Sequence, residues 1–304
     1  MGYAIETDGL SCRFGRVDAV RDLSLRVGSG SIFALLGPNG AGKTSTIKML
    51  MNLIRPSGGR AAVLGTDVRR LCPPTLARIG YVSETQSLPD WMTVAGLVAF
   101  CRPLYPTWDD SLCAELVAQL DLDPRAQLRH LSRGMRVKAA LLVSLAYRPR
   151  LLVLDEPFSG LDPVVRDDLV QAILRLAEQE QWTIFISSHD MEDVERLADV
   201  IAFIDTGRLQ LVEPAALLLE RFRQIEVTTV EPAVLPAEVP ATWLQVQTAG
   251  RAIRFVDSAF DSEATAARLR VMFPDALVDT HRMTLREIFV AITRTRRPGM
   301  DARS

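Results

Sequence analysis

Apolar and polar residues alternate in Leu23-Ser24-Leu25-Arg26-Val27, the pattern of a half-exposed antiparallel strand, and Gly28-Ser29-Gly30 ends it. The rest of the first 30 residues reads as short strands and turns. Ile32 to Leu36 is continuously apolar, as a strand buried on both faces would be. A glycine-rich segment follows, then a helix predicted from about Lys43 to Leu53 and a second short strand pair at Gly59–Leu64 and Ile79–Val82. From about Trp91 to Tyr147 the pattern turns helical. Thr107 with Asp110 three residues on reads as a capping box before the periodic positions Leu112, Leu116, Val117 and Leu120. Strand and helix then alternate: Leu151–Leu154, Pro163–Glu180, Thr183–Ser187, Met191–Ala198 and Val200–Ile204. Asp162 suits the N-cap of the helix that Pro163 opens.

Past about Pro214 the character changes. Glu231–Pro240 holds three prolines and reads as a loop. Around it lie strand-like segments at Gln224–Val230, Leu244–Gln247 and Ile253–Val256. A helix is expected near Ala264–Phe273, and a last one from Thr284, with Glu287 as its capping partner. The expected organisation is an α/β domain over residues 1–214, with a helical subdomain at about 91–147, and a small α+β accessory module over 215–304.

Composition narrows the function classes. Among 304 residues, 48% are hydrophobic and 24% charged, enough to bury a large core or two. A net charge of −2 provides no basic field for nucleic acid, so no such partner is expected. Cys12, Cys72, Cys101 and Cys113 show no C-x-x-C spacing and read as buried or idle thiols. Residues 1–10 carry acids and lack an apolar h-region, so no signal peptide is expected. The uncharged run from Trp91 to Cys101 falls short of the roughly 20 residues a membrane span needs. The expected setting is the cytoplasm, with any membrane role coming through a partner.

The candidate chemistry begins at Gly37-Pro38-Asn39-Gly40-Ala41-Gly42-Lys43-Thr44, which fits G-x-x-x-x-G-K-[ST] at every fixed position. Small residues let successive backbone N–H groups curl around a β-phosphate, and the helix that follows adds its positive end. Lys43 is placed for the β- and γ-phosphates, Thr44 for Mg²⁺, and Ser45 follows in the same turn. Downstream, Leu151-Leu152-Val153-Leu154 ends in Asp155-Glu156, setting two acids at the carboxyl end of a buried strand, where open α/β sheets bind ligands. Asp155 is expected to hold magnesium through water, and Glu156 to sit near the γ-phosphate. ATP and Mg²⁺ are the expected ligands.

From Phe14 to His189 the chain resembles the nucleotide-binding subunit of ABC transporters. Phe14 matches the aromatic that stacks on adenine in that family. Leu131-Ser132-Arg133-Gly134-Met135 stands where the family has its signature loop, Ser159-Gly160-Leu161-Asp162 where it has the D-loop, and Ser188-His189-Asp190 where it has the switch histidine. The resemblance implies a P-loop NTPase fold: a RecA-like core, an antiparallel β subdomain and a helical subdomain. It also implies a dimer that sandwiches two ATPs, in which Ser132 and Gly134 donate to the γ-phosphate held by the other subunit. Arg133 and Met135 depart from the family's glycine and glutamine, and Glu84 stands at the place of its Q-loop glutamine, where a carboxylate would face the magnesium shell. These departures, and the trailing Leu285-Arg286-Glu287-Ile288-Phe289, are similar to the branch serving ABC-2-type permeases.

The chemistry so implied is transport-coupled ATP hydrolysis. Lys43, Thr44 with Mg²⁺, and a facing Ser132 supply charge, Glu156 polarises the water, and His189 bridges Glu156 and the γ-phosphate. The expected partners are a second ATP-binding subunit, alike or different, and an integral-membrane permease that would hold the chain on the inner face of the membrane. The permease would dock near Glu84 and the helical segment, and the patch near Leu88–Trp91, read as free of charge, is expected to contribute. A soluble ABC-type ATPase acting on ribosomes or DNA is the alternative, but no second nucleotide domain, coiled-coil insertion or zinc-binding cysteine set accompanies the loop. A GTPase would need a guanine-reading N-K-x-D, which is missing downstream. The pairs Asp109-Asp110 and Asp167-Asp168 read as helix-start and surface charge, and Arg294, Arg296 and Arg297 as a solvated tail.

Overall fold

The alternating segment at Leu23 belongs to a longer element than its pattern suggests. In the computed structural model, which describes residues 2–180, 182–236 and 238–295, β1 (Tyr3–Phe14) and β2 (Val17–Gly28) form one long antiparallel hairpin. Register shifts along β1 break the period-two alternation, which is why the sequence reads as shorter strands. The chain divides into two units, Met1–Val212 and Glu213–Ser304.

In the first unit, β4 (Gly58–Val63) pairs antiparallel with β1 and with β5 (Thr66–Asp67), completing a four-stranded sheet β2-β1-β4-β5. The second sheet has the order β10-β9-β3-β8-β7-β6. It contains β3 (Ile32–Leu36), β6 (Ile79–Ser83), β7 (Leu151–Asp155), β8 (Thr183–Ser188), β9 (Val200–Asp205) and β10 (Arg208–Pro214). Pairing is parallel from β9 through β6. The segments Gly59–Leu64 and Ile79–Val82, expected as a pair, therefore lie in different sheets. Ile79–Ser83 instead pairs with Leu151–Asp155, a long-range partner that local patterning does not reveal. Every residue of β3, β7 and β8 is buried, as the apolar runs require. Phe33 and Phe185 stack across neighbouring strands with ring centroids 5.7 Å apart.

Helix α1 (Lys43–Leu50) starts from the glycine-rich loop and stops before the expected Leu53, because Asn52 takes a left-handed φ of 56°. After α2 (Pro73–Leu76) come the helices α3 (Val94–Cys101), α4 (Asp110–Gln119) and α5 (Arg133–Leu145) of the helical segment. Thr107 does not cap α4. Its hydroxyl donates to the Tyr147 carbonyl at 2.7 Å, and Asp109 accepts from Leu112 N–H as the cap. Asp162 accepts from Val165 N–H at the start of α6 (Pro163–Glu180), and α7 (Met191–Glu195) follows β8. No helix among the described residues is long and apolar enough to cross a membrane, and all four cysteines are free.

The second unit contains α8 (Ala215–Arg221), β11 (Arg223–Thr228), β12 (Trp243–Ala249), β13 (Ala252–Asp257), α9 (Ser262–Met272), β14 (Leu277–Arg282) and α10 (Leu285–Thr295). Its antiparallel sheet runs β12-β13-β11-β14, with a core formed by Ile225, Val227, Trp243, Ile253, Phe255, Leu269 and Phe273. Thr284 and Glu287 form the expected capping box at α10. The sequence missed α8 and β14. Every residue of β14 is exposed, so no buried face imposes a pattern on it. The expected tail residues Arg296 and Arg297 lie outside the described residues.

Candidate phosphate-binding site

Strands β3, β8 and β7 lie side by side, so the loops after their carboxyl ends meet. A cavity of about 390 Å³ opens there, lined by residues that include Gly40, Gly42, Lys43, Thr44, Glu84, Glu156, Ser159 and His189. Residues far apart in sequence thus converge on one space, in the order the sheet dictates.

The loop's geometry depends on Gly42. Its φ is 107°, and a Cβ there would lie 2.4 Å from the Ala19 carbonyl oxygen. Gly42 then starts α1, whose first N–H groups face the cavity end of the helix. Asn39, Gly40 and Ser45 also line the cavity, and Ala41 is buried behind them. Lys43 is folded back: its ammonium donates to Gly37 O at 2.7 Å and Pro38 O at 3.2 Å, and pairs with Glu156 Oε1 at 3.0 Å.

Glu156 has a left-handed φ of 53°, a strain of about 1–2 kcal/mol for a residue with a Cβ. Its N–H donates to the Ser187 carbonyl and hydroxyl oxygens, anchoring it to the neighbouring strand. Its Oε2 lies 2.8 Å from His189 Nδ1 and accepts from His189 N–H at 3.2 Å. One carboxylate therefore joins Lys43 to His189.

Asp155 lies behind Thr44, whose hydroxyl donates to its Oδ1 at 3.2 Å, while the Ser187 hydroxyl donates to the same oxygen at 2.7 Å. Burial pushes the Asp155 carboxyl above its ordinary value. No group of three His, Cys, Asp or Glu among the described residues could hold a metal by itself. One hydroxyl and one carboxylate fit Mg²⁺, a hard cation that keeps several waters and arrives with substrate phosphates.

Phe14, Ser132 and Gly134 stand apart from the cavity. Phe14 is half-exposed at the hairpin tip, and Ala19 on the same hairpin lines the wall instead. Ser132 caps α5, its hydroxyl oxygen accepting from Met135 N–H at 3.3 Å, and is exposed. Gly134 is buried against Val165. Glu84 reaches the cavity wall, but its carboxylate accepts from the Ser159 hydroxyl at 2.7 Å and pairs with Arg133 at 3.1 Å. The sequence did not suggest this pairing, nor the clamp of Arg166 on Asp190 at 2.5 Å, which holds the residue after His189.

The family model described as ABC transporter matches residues 20–159. The ABC transporter ATP-binding protein YtrB of Bacillus subtilis is 30% identical over 239 residues, covering 78% of this chain and 82% of that protein. The chain belongs to the ABC transporter ATP-binding proteins. These are the ATP-hydrolysing subunits of transporters. An uncharacterized ABC transporter ATP-binding protein of Synechocystis is 36% identical over 201 residues, 64% of this chain; the match spans 56% of the length of that relative. A solved ATP-binding subunit of an ABC transporter superimposes with a TM-score of 0.64 at 24% identity, over 71% of this chain and 92% of that one, which supports the P-loop NTPase fold.

Proposed function

We propose that the chain is one of two ATP-binding subunits that close face to face on ATP, reopen on hydrolysis, and so drive a separate integral-membrane permease of the ABC-2 type. The observation that carries this reading is the Lys43–Glu156–His189 chain of contacts inside the phosphate cavity. Ser132, exposed at the start of the 13-residue helix α5 and absent from the cavity lining, supports the two-subunit form. A capping hydroxyl at an open helix N-terminus suits the γ-phosphate of a nucleotide held by another subunit.

The steps follow from charge. Phosphates entering the loop draw Lys43 away from Glu156, which frees the carboxylate to take a proton from water. His189 keeps that carboxylate aimed by holding its other oxygen. Thr44 and Asp155 would hold Mg²⁺, which would supply neutralisation of phosphate charge. Phe14 supplies a face for the adenine, and Ser132 with the Gly134 N–H completes the other subunit's site. The working place is the cytoplasmic face of the membrane, reached through the permease.

Substituting Glu156→Gln tests this. The variant should keep ATP binding, lose turnover by about 100-fold or more, and run as a dimer in ATP on size exclusion. Undiminished turnover would overturn the assignment.

A further inference from the structure

Glu84 and Arg133 occupy two positions at which this chain carries opposite charges, and the two side chains meet. We infer that they act as one positioning pair, a clasp that sets the start of α5 against the phosphate cavity, and that Glu84 works through Arg133 rather than on the metal. The inference rests on the ATPase reading for its catalytic consequence, though the clasp itself is a property of the folded chain.

Three segments meet at a single oxygen. Glu84 Oε1, just past β6, accepts from Arg133 Nη2 at 3.1 Å and from Ser159 Oγ at 2.7 Å. Arg133 is the first residue of α5, and Ser159 lies in the loop after β7. Glu84 N–H is anchored in turn to the Asp155 carbonyl at 2.9 Å. Gly160, at φ 66°, provides the bed for the guanidinium: a Cβ there would stand 2.5 Å from Arg133 Nη1.

Neither charge suits its place alone. A cation in the first turn of a helix opposes the macrodipole. A carboxylate in the cavity wall adds to Asp155 and Glu156 and repels a nucleotide's phosphates. Paired, the two charges cancel. The side chains are 39% and 50% exposed, so the bridge contributes little to global stability. Its role is therefore geometric. Ser132 immediately precedes Arg133, so the clasp sets the height of the hydroxyl offered to the opposing site.

The test uses the full-length chain with Glu84→Gln, Arg133→Gly, their double, and the charge swap Glu84→Arg with Arg133→Glu. Hydrogen exchange without nucleotide should show the first turn of α5 opening faster in both single variants, to the same extent, and slower again in the swap. In MgATP turnover each single variant should lower kcat several-fold with the Mg²⁺ requirement unchanged, the double should be no worse than either single, and the swap should recover activity. Unaltered exchange in both singles overturns the clasp. So does a raised Mg²⁺ requirement in Glu84→Gln together with a silent Arg133→Gly, which would make Glu84 a metal-shell residue acting alone. A wild-type chain that hydrolyses no ATP would count against the ATPase reading, and the exchange result would still decide the clasp.

Discussion

Lys43 and Glu156 form an ion pair of 3.0 Å with both side chains almost wholly buried. The site is thus neutralised from within, and on the proposed function a nucleotide would compete with Glu156 for the ammonium. Removing one member should destabilise the fold, because a lone buried charge is left behind. Lys43→Ala should lower stability by about 3 kcal/mol, and Lys43→Ala with Glu156→Gln should recover most of that. Urea denaturation midpoints of the three proteins check it.

Asp155 carries the opposite burden. Burial raises its carboxyl, against the pull of the hydrogen bonds from Ser187 and Thr44. An acid raised on folding destabilises the fold once ionised. That cost is absent below the ordinary carboxylate range and grows as pH rises through the raised value. Asp155→Asn keeps an oxygen for both donors and drops the charge. The nucleotide-free variant should melt about 2–4 °C higher at neutral pH, with the gap closing toward acid, while magnesium-dependent turnover is lost. Calorimetry across pH reads the first effect.

Gly134 has a steric reason in its own subunit. A Cβ there would stand 2.2 Å from Val165 Cγ1 at the start of α6. Gly134→Ala should destabilise by about 1–3 kcal/mol through overpacking. Adding Val165→Ala should relieve it, as thermal melts followed by circular dichroism would show.

Trp91, Phe100 and Leu104 are exposed on the helical segment at 78%, 57% and 60%. The patch read as free of charge near Leu88–Trp91 is different in detail: Leu88 is buried, and Asp90 pairs with Arg136 at 2.8 Å. The proposed docking surface therefore centres on Trp91. Trp91→Glu should leave the melting temperature of the isolated chain unchanged and abolish co-purification with the permease from detergent-solubilised membranes. Recovery of the intact complex would count against this surface.

The phosphate loop was legible because its chemistry is local: backbone N–H groups, a lysine and a threonine within eight consecutive residues, before a helix and after an apolar strand. Asp155, the last residue of β7, and Glu156 and His189, which directly follow β7 and β8, were legible as candidates because both strands are buried along their whole length. The Thr107 capping pattern misled for the complementary reason. A capping box is a local motif, and the carbonyl that takes the hydroxyl is 40 positions away.

The sequence by itself determined the nucleotide chemistry and the alternation of strands and helices, since both are written in adjacent residues. Tertiary structure decided which strands are neighbours, and with that the Lys43–Glu156 pair and the Glu84–Arg133 clasp. Long-range pairing of charges depends on strand order and on the packing of helices over the sheet, and no local period encodes either.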